Sequence, residues 1–148
     1  SETSIKRRRG SVNLKVIISR KRTGKFCILI TNKRRELTFM KAMEINREQF
    51  EQMVNGEKAV LIDFWAPWCG YCRRLGPAYE KIAEEYNGGG LLTVGKVNID
   101  EEKELAEKEK IEVIPTLVLY KNGTAVDSIV APESKAMIEA FIEQALKK

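Results

Sequence analysis

An α/β fold with parallel crossovers, closed by an antiparallel hairpin, is the fold class this sequence predicts. Three observations predict it. Short apolar runs alternate with amphipathic stretches over residues 42–148, in the order β α β α β α β β α. The run VLIDFW (Val60–Trp65) is too continuously apolar for a half-exposed strand, so it predicts a central strand buried on both faces. Finally, Asn122-Gly123 stands between two strand-like runs, the signal of a tight hairpin.

The elements follow in order. AMEI (Ala42–Ile45) reads as a short strand. Asn46 is placed as an N-cap with Gln49 three residues on, the spacing of a capping box. Phe50, Met53 and Val54 give that helix its apolar face, and Asn55-Gly56 stops it. After the central strand, a helix is expected from about Gly70 to Tyr86. Leu75, Tyr79, Ile82 and Tyr86 recur there at helical spacing, Pro77 interrupts it, and Gly88-Gly89-Gly90 ends it. LLTVGKVNI (Leu91–Ile99) reads as a second buried strand. Asp100 is expected to cap the acid-rich helix that follows, with Glu101 and Glu102 in its first turn. Thr116–Gly123 and Thr124–Val130 form the hairpin. The last helix spans about Ser134 to Lys147, with Met137, Ile138, Phe141, Ile142 and Ala145 turned inward.

Charge divides the 148-residue chain. Residues 1–43 hold 13 Lys/Arg against 2 acids, and residues 44–148 hold 13 against 19. The net +5 therefore averages a basic N-terminal segment, residues 1–41, with an acidic domain, residues 42–148. No run approaches the ~18 apolar residues of a membrane helix. Lys15 breaks the only apolar stretch placed where a secretory signal would need one of about 7–15 residues. A cytoplasmic protein is expected, and three cysteines do not suggest a disulfide-braced secreted scaffold. There is no histidine, which excludes a histidine base, histidine zinc ligands and Ser-His or Cys-His catalysis.

Two of the three cysteines lie in WAPWCGYC (Trp65–Cys72). A zinc site usually takes four ligands. Here it would need the distant Cys27 and a carboxylate, or two chains sharing their pairs. A purely structural disulfide between Cys69 and Cys72 would close too small a loop to stabilise much. A redox pair explains more. Cys69 falls at the start of a helix, where free N–H groups and the helix dipole favour a thiolate. Cys72, one turn along, is expected beneath it and more buried. The first thiolate attacks a disulfide, and the second thiol resolves the mixed disulfide. Gly70 keeps the tip of the turn free of a side chain.

Asp63 is the second clue. An acid in the middle of an apolar strand is costly to ionise, so burial should raise its pKa and make it a usable proton acceptor near neutral pH. The plainer reading is an acid at the strand end, wetted by a loop. Ile114-Pro115-Thr116 is the third clue. Its proline either simply starts a strand or forms a cis bond that brings backbone beside the thiols.

Together these residues carry a likeness. From about Ala42 onward the chain resembles the thioredoxins, in order, over roughly 105 of 148 residues. WAPWCGYC resembles the family's Trp-Cys-Gly-Pro-Cys site. Asp63 falls on its buried aspartate, Lys96 on the neighbouring lysine, Pro77 on the active-site helix proline, Pro115 on the cis-proline and Lys121–Gly123 on the hairpin turn. The resemblance implies a thioredoxin fold, a central mixed sheet flanked by four helices, and a protein-disulfide reductase without metal or organic cofactor. It implies a redox-active Cys69–Cys72 disulfide, with Cys69 as nucleophile and Cys72 as resolving thiol. Asp63, tuned by Lys96, takes the proton of Cys72. Trp68, Gly70, Tyr71, Ile114, Pro115, Val130 and Ala131 line the substrate groove. The implied partners are disulfide-containing proteins and a thioredoxin-reductase-type electron donor, using NADPH through a flavin, or ferredoxin. A monomer is expected.

Two positions depart from the pattern. Tyr71 stands where the family has proline, and Ala131, followed by Pro132, where it has a groove glycine. Glutaredoxins carry Tyr before the second cysteine, but lack the Trp-Cys-Gly context and the Asp63-type acid, so glutathione is not the expected main reductant. Tyr71 either makes the disulfide easier to reduce than the ~−270 mV of thioredoxin or changes partner recognition alone.

The basic segment, with KRRR at 6–9, RKR at 20–22 and KRR at 33–35, has three readings. It is translated upstream sequence before a start near Met40, a flexible tail, or a binder of nucleic acid or anionic membrane. Its apolar runs VNLKVIIS and FCILIT can pair as a hairpin, marginal by itself. Cys27 is given no catalytic part. Against the reductase stand an oxidase or isomerase with a more oxidising disulfide, and a tether that uses the basic segment with the rest as scaffold.

Overall fold

A computed structural model describes residues 3–9, 12–20, 26–32 and 41–148. The chain divides into two compact units, Ser1–Phe39 and Met40–Lys148. In the first, β1 (Thr3–Arg9), β2 (Val12–Arg20) and β3 (Phe26–Asn32) pair antiparallel in the order β1-β2-β3. The two apolar runs of this segment thus pair with each other as β2 and β3, and KRRR and Cys27 lie on strands. The KRR at 33–35 lies outside the described residues.

The second unit is built on a five-stranded mixed sheet in the order β4-β6-β5-β7-β8. Its strands are β4 (Met43–Glu44), β5 (Ala59–Trp65), β6 (Leu92–Asn98), β7 (Thr116–Lys121) and β8 (Thr124–Val130). β4 and β5 run parallel to β6, while β7 is antiparallel to β5 and β8 to β7. Three helices connect them, α1 (Arg47–Val54), α2 (Gly70–Gly89) and α3 (Lys103–Lys108), and α4 (Lys135–Leu146) follows β8.

β5 is the central strand that its composition predicts, buried from Val60 to Phe64. Because side chains alternate along a strand, its two faces serve two cores. Val60, Ile62 and Phe64 pack with Phe50, Val54, Leu105 and Tyr120. Leu61 points the other way, among Tyr79, Ile82, Ile138 and Ile142. Asp63 shares the parity of Leu61, so the sheet aims its carboxyl at the α2 side. A Phe50–Tyr120 edge contact, with centroids 5.2 Å apart, closes the first core.

Local chemistry explains most boundaries. Asn46 accepts the Gln49 N–H at 2.9 Å, and the Gln49 side chain accepts the Asn46 N–H at 3.0 Å, so the capping box is complete. Asn122 and Gly123 both adopt positive φ, 52° and 79°, as a two-residue hairpin turn requires. α2 runs three residues beyond its expected end, to Gly89, and stops at Gly90 with φ 71°. Asn87 accounts for the extension: its side-chain amide exchanges two hydrogen bonds with the backbone of Val94, at 2.8 and 3.3 Å.

Three expectations are corrected. Only Met43-Glu44 of the AMEI run enters the ladder. Met137, expected inward, is exposed; it lies in the first turn of α4, at the edge of the apolar stripe. Asp100 does not cap α3, whose N-cap position is Glu102 with no side-chain cap bond. Asn98 organises that turn instead. Its side chain accepts the Asp100 N–H at 3.0 Å and its carbonyl accepts the N–H groups of Glu101 and Glu102.

Candidate active site

The site is assembled where β5 delivers the chain to the start of α2. Cys69 is the N-cap residue, and its Sγ accepts the Cys72 N–H at 3.2 Å. An N-terminal sulfur among free amides is favourably placed to carry negative charge. The Cys69 thiol also lies 3.8 Å from the carbonyl oxygen of Ile114. The Ile114–Pro115 bond is cis, and the Pro115 carbonyl accepts the Ala131 N–H at 2.8 Å. Thus Cys69, Ile114, Pro115, Val130 and Ala131 are brought to one place from three segments. Cys72 is not more buried than Cys69, contrary to expectation; both are 6% exposed, because the Ile114-Pro115 segment covers Cys69.

Around the thiols the surface is aromatic. Trp68 is 66% exposed, and its indole N–H donates to Asp100 Oδ2 at 3.1 Å, which fixes the ring. The carboxylate that sequence assigned to a helix cap is therefore a brace for Trp68. Tyr71 is 65% exposed, with the Arg74 guanidinium 5.1 Å from its ring centroid. Beside it, Tyr71, Arg74, Ala78, Pro115, Ala131 and Glu133 line a cleft of about 300 Å³. Val130, at the end of β8, is half-exposed and pairs with Thr116 next to Pro115. Gly70 has nothing within 4 Å of where a Cβ would stand, so its missing side chain leaves space outward rather than relieving a clash. Ala131 has φ 44°, a left-handed conformation that costs an alanine about 1–2 kcal/mol.

Beneath the thiols a second cavity, of about 150 Å³, is lined by Asp63, Cys72, Gly76, Glu80 and Lys96 with Trp65 at its side. Asp63 is buried, and its Oδ1 has no hydrogen-bond partner among the described residues. Burial pushes its carboxyl up to about 7, against a lowering by the Lys96 ammonium and a further rise from Glu44. Burial, chiefly, also pushes the Cys72 thiol up to about 12. The hydrogen bond and charge of Cys69 and the charge of Asp63 act in the same direction, while the Ala66 backbone opposes them. Lys96 stands opposite Asp63 in the β5–β6 register. Its ion-pair partner, however, is Glu80, at 3.6 Å, and its ammonium lies 5.2 Å from the Trp65 ring centroid.

The sequence reading missed Glu80, Gly76 and Asp100. Glu80 and Gly76 carried a signal: Cys72, Gly76 and Glu80 recur every four residues and so share one face of α2. Asp100 carried none, since its bond to Trp68 is made only across the folded loop. Among the described residues no cluster of three metal-ligating side chains occurs, and no helix is long and apolar enough to cross a membrane.

Known proteins bear on this arrangement. The thioredoxin family model matches residues 41–144. The chain belongs to the thioredoxin family. Its relatives include a thioredoxin of Malassezia sympodialis, 39% identical over 97 residues, covering 66% of this chain and 90% of that protein. A thioredoxin of Alicyclobacillus acidocaldarius is 38% identical over 105 residues, covering 71% and 98%. Among solved structures, the Malassezia sympodialis thioredoxin superimposes with a TM-score of 0.62 at 35% identity, covering 71% of this chain and 93% of that one. A mutant thioredoxin from Halobacterium salinarum gives 0.64 at 28%, covering 72% and 92%. The matched residues, 41–144, thus form a thioredoxin fold, and the protein is a thiol-disulfide oxidoreductase. Membership implies disulfide-containing substrates and a reductase partner.

Proposed function

We propose that the protein reduces protein disulfides in a reducing compartment, the cytoplasm, with Cys69 as nucleophile and Cys72 as resolving thiol. The Cys69 thiolate attacks one sulfur of a substrate disulfide. A Cys69–substrate S–S bond forms, and the other substrate sulfur leaves as a thiolate that takes up a proton. Cys72 then loses its proton to Asp63 and attacks the Cys69 sulfur. The Cys69–Cys72 disulfide forms, the second substrate thiolate departs, and two electrons have passed to the substrate. A thioredoxin-reductase-type partner returns them.

The observation that carries this reading is the shared cavity of Asp63 and Cys72. A thiol held well above its ordinary range by burial is almost wholly protonated at pH 7, so the resolving step needs a base. Asp63, pushed up to about 7, is about half ionised there. Moreover, two causes of the high Cys72 value come from Cys69. Both vanish once the Cys69 sulfur is tied to substrate, so Cys72 becomes easier to deprotonate at the step that needs it. Lys96 opposes the rise at Asp63 and keeps it from holding its proton too tightly.

Trp68, Gly70, Tyr71, Ile114, Pro115, Val130 and Ala131 form the groove for an extended substrate segment. Trp68 and Tyr71, both exposed, stand on either side of Cys69 in sequence, and the cleft lined by Tyr71, Pro115 and Ala131 gives the segment a place to lie. The three cysteines, without a second close pair, suit a compartment that keeps thiols reduced. Residues 42–148 act as the redox domain, as a monomer, and residues 1–41 are a basic extension to it. Insulin-disulfide reduction with dithiothreitol tests the function. The protein should act well above background, Cys69→Ser should abolish the activity, and Asp63→Asn should slow it at least about tenfold. A Cys69→Ser variant as fast as the parent contradicts the assignment.

A further inference from the structure

Lys96 faces Asp63 across the β5–β6 register, yet it is held from elsewhere. Glu80, on α2, is anchored at both oxygens. Oε1 pairs with the Lys96 ammonium at 3.6 Å, and Oε2 accepts the Ala42 N–H at 3.2 Å. The Ala42 bond fixes the carboxylate to the chain leading into β4, so Glu80 spans from α2 to the sheet edge. Both members of the pair are only partly exposed, 34% at Glu80 and 28% at Lys96, and both line the cavity that contains Asp63 and Cys72. Gly76, one turn from each of Cys72 and Glu80, leaves that face of the helix open.

We propose that Glu80 is a positioning residue: by holding and partly neutralising Lys96 at the mouth of this cavity, it sets how tightly Asp63 keeps its proton. The inference rests on the proposed part of Asp63 in the resolving step. The charged and titratable groups around Asp63 are few. Lys96 comes from β6, Glu44 from β4, and Cys72, Arg73, Tyr79 and Glu80 from α2. β7 presents only Leu117 opposite it. Lys96 lowers the proton affinity of Asp63 and Glu44 raises it. Glu80 therefore works through Lys96: a neutral side chain in its place leaves the full ammonium charge acting on Asp63. Without Glu80 the carboxyl should ionise too readily, and it would be a weaker base toward Cys72.

The test is the titration of the Asp63 carboxyl carbon by NMR in the reduced protein. Glu80→Gln keeps an oxygen for the Ala42 N–H and removes the charge. It should move the Asp63 midpoint down by at least about half a pH unit. Lys96→Met should move it up. In the Lys96→Met background, Glu80→Gln should produce less than about half of its own shift, since its intermediary is gone. Glu85→Gln, on the same helix but paired with Lys135, should leave the midpoint in place. An unmoved or raised midpoint in Glu80→Gln overturns the proposal. So does an undiminished shift in the Lys96→Met background, or an equal shift from Glu85→Gln. The resting dithiol is titrated without substrate, so the outcome is separate from the kinetic test of Asp63 itself.

Discussion

Asp63→Asn keeps the shape of the side chain and removes its charge, and its consequence for stability can be worked from the burial of the site. In the unfolded chain the carboxyl titrates near 3.8, whereas in the fold burial pushes it up to about 7. Between these values the folded protein holds a proton that the unfolded chain has released. Stability therefore falls as pH rises through that window, and levels off above about 7. The difference of about three units, at 1.36 kcal/mol each, is about 4 kcal/mol in full. Urea denaturation of the reduced proteins at pH 4.5 and pH 7.5 captures about 3 kcal/mol of it. This range stays below the titration of unfolded thiols, and every other group cancels between parent and variant. Relative to the parent, Asp63→Asn should gain about 3 kcal/mol on going from pH 4.5 to pH 7.5. A gap that is the same at both pH values, or that moves against the variant at pH 7.5, refutes the reasoning that Asp63 is a buried, proton-retaining carboxyl.

Tyr71→Pro should make the Cys69–Cys72 disulfide harder to reduce, by restoring a rigid residue between the thiols. Equilibration against glutathione reads it: the parent should lie above the ~−270 mV of thioredoxin and the variant should fall toward it, while a parent at or below that figure leaves Tyr71 a recognition role alone. Ala131→Gly should relieve the left-handed backbone at φ 44° and gain about 0.5–1 kcal/mol by thermal or urea unfolding, the relief being partly offset by the freedom of glycine in the unfolded chain.

Much of this site was legible before the fold. Asp63 stood out because an acid inside Val60–Trp65 is costly to ionise, and its burial rules out the plainer reading of a carboxyl wetted at the strand end. The Asn46–Gln49 capping box and the Asn122-Gly123 turn were legible because their chemistry is local, complete within four residues. What escaped was tertiary. Asp100 looked like a cap from its neighbours, but Asn98 took that turn and freed the carboxylate for Trp68, 32 residues away in sequence. Glu80 lay in an amphipathic helix where any acid reads as solvated. Only the packing of α2 on β6 shows that it reaches Lys96. Met137 fitted a stripe whose width the sequence overstated, since in the first turn of α4 Ile138 alone is buried. Cys72 was placed deeper than Cys69 because the covering segment, Ile114-Pro115, comes from far along the chain.

If Cys69 attacks and Cys72 resolves, removing the Cys72 thiol should strand the substrate on Cys69. The most direct measurement is mass spectrometry of Cys72→Ser after mixing with oxidised insulin under non-reducing conditions. A one-to-one mixed disulfide on Cys69 is expected, released by dithiothreitol and absent when Cys72 is intact. No adduct, or an adduct carried on Cys27, would contradict it.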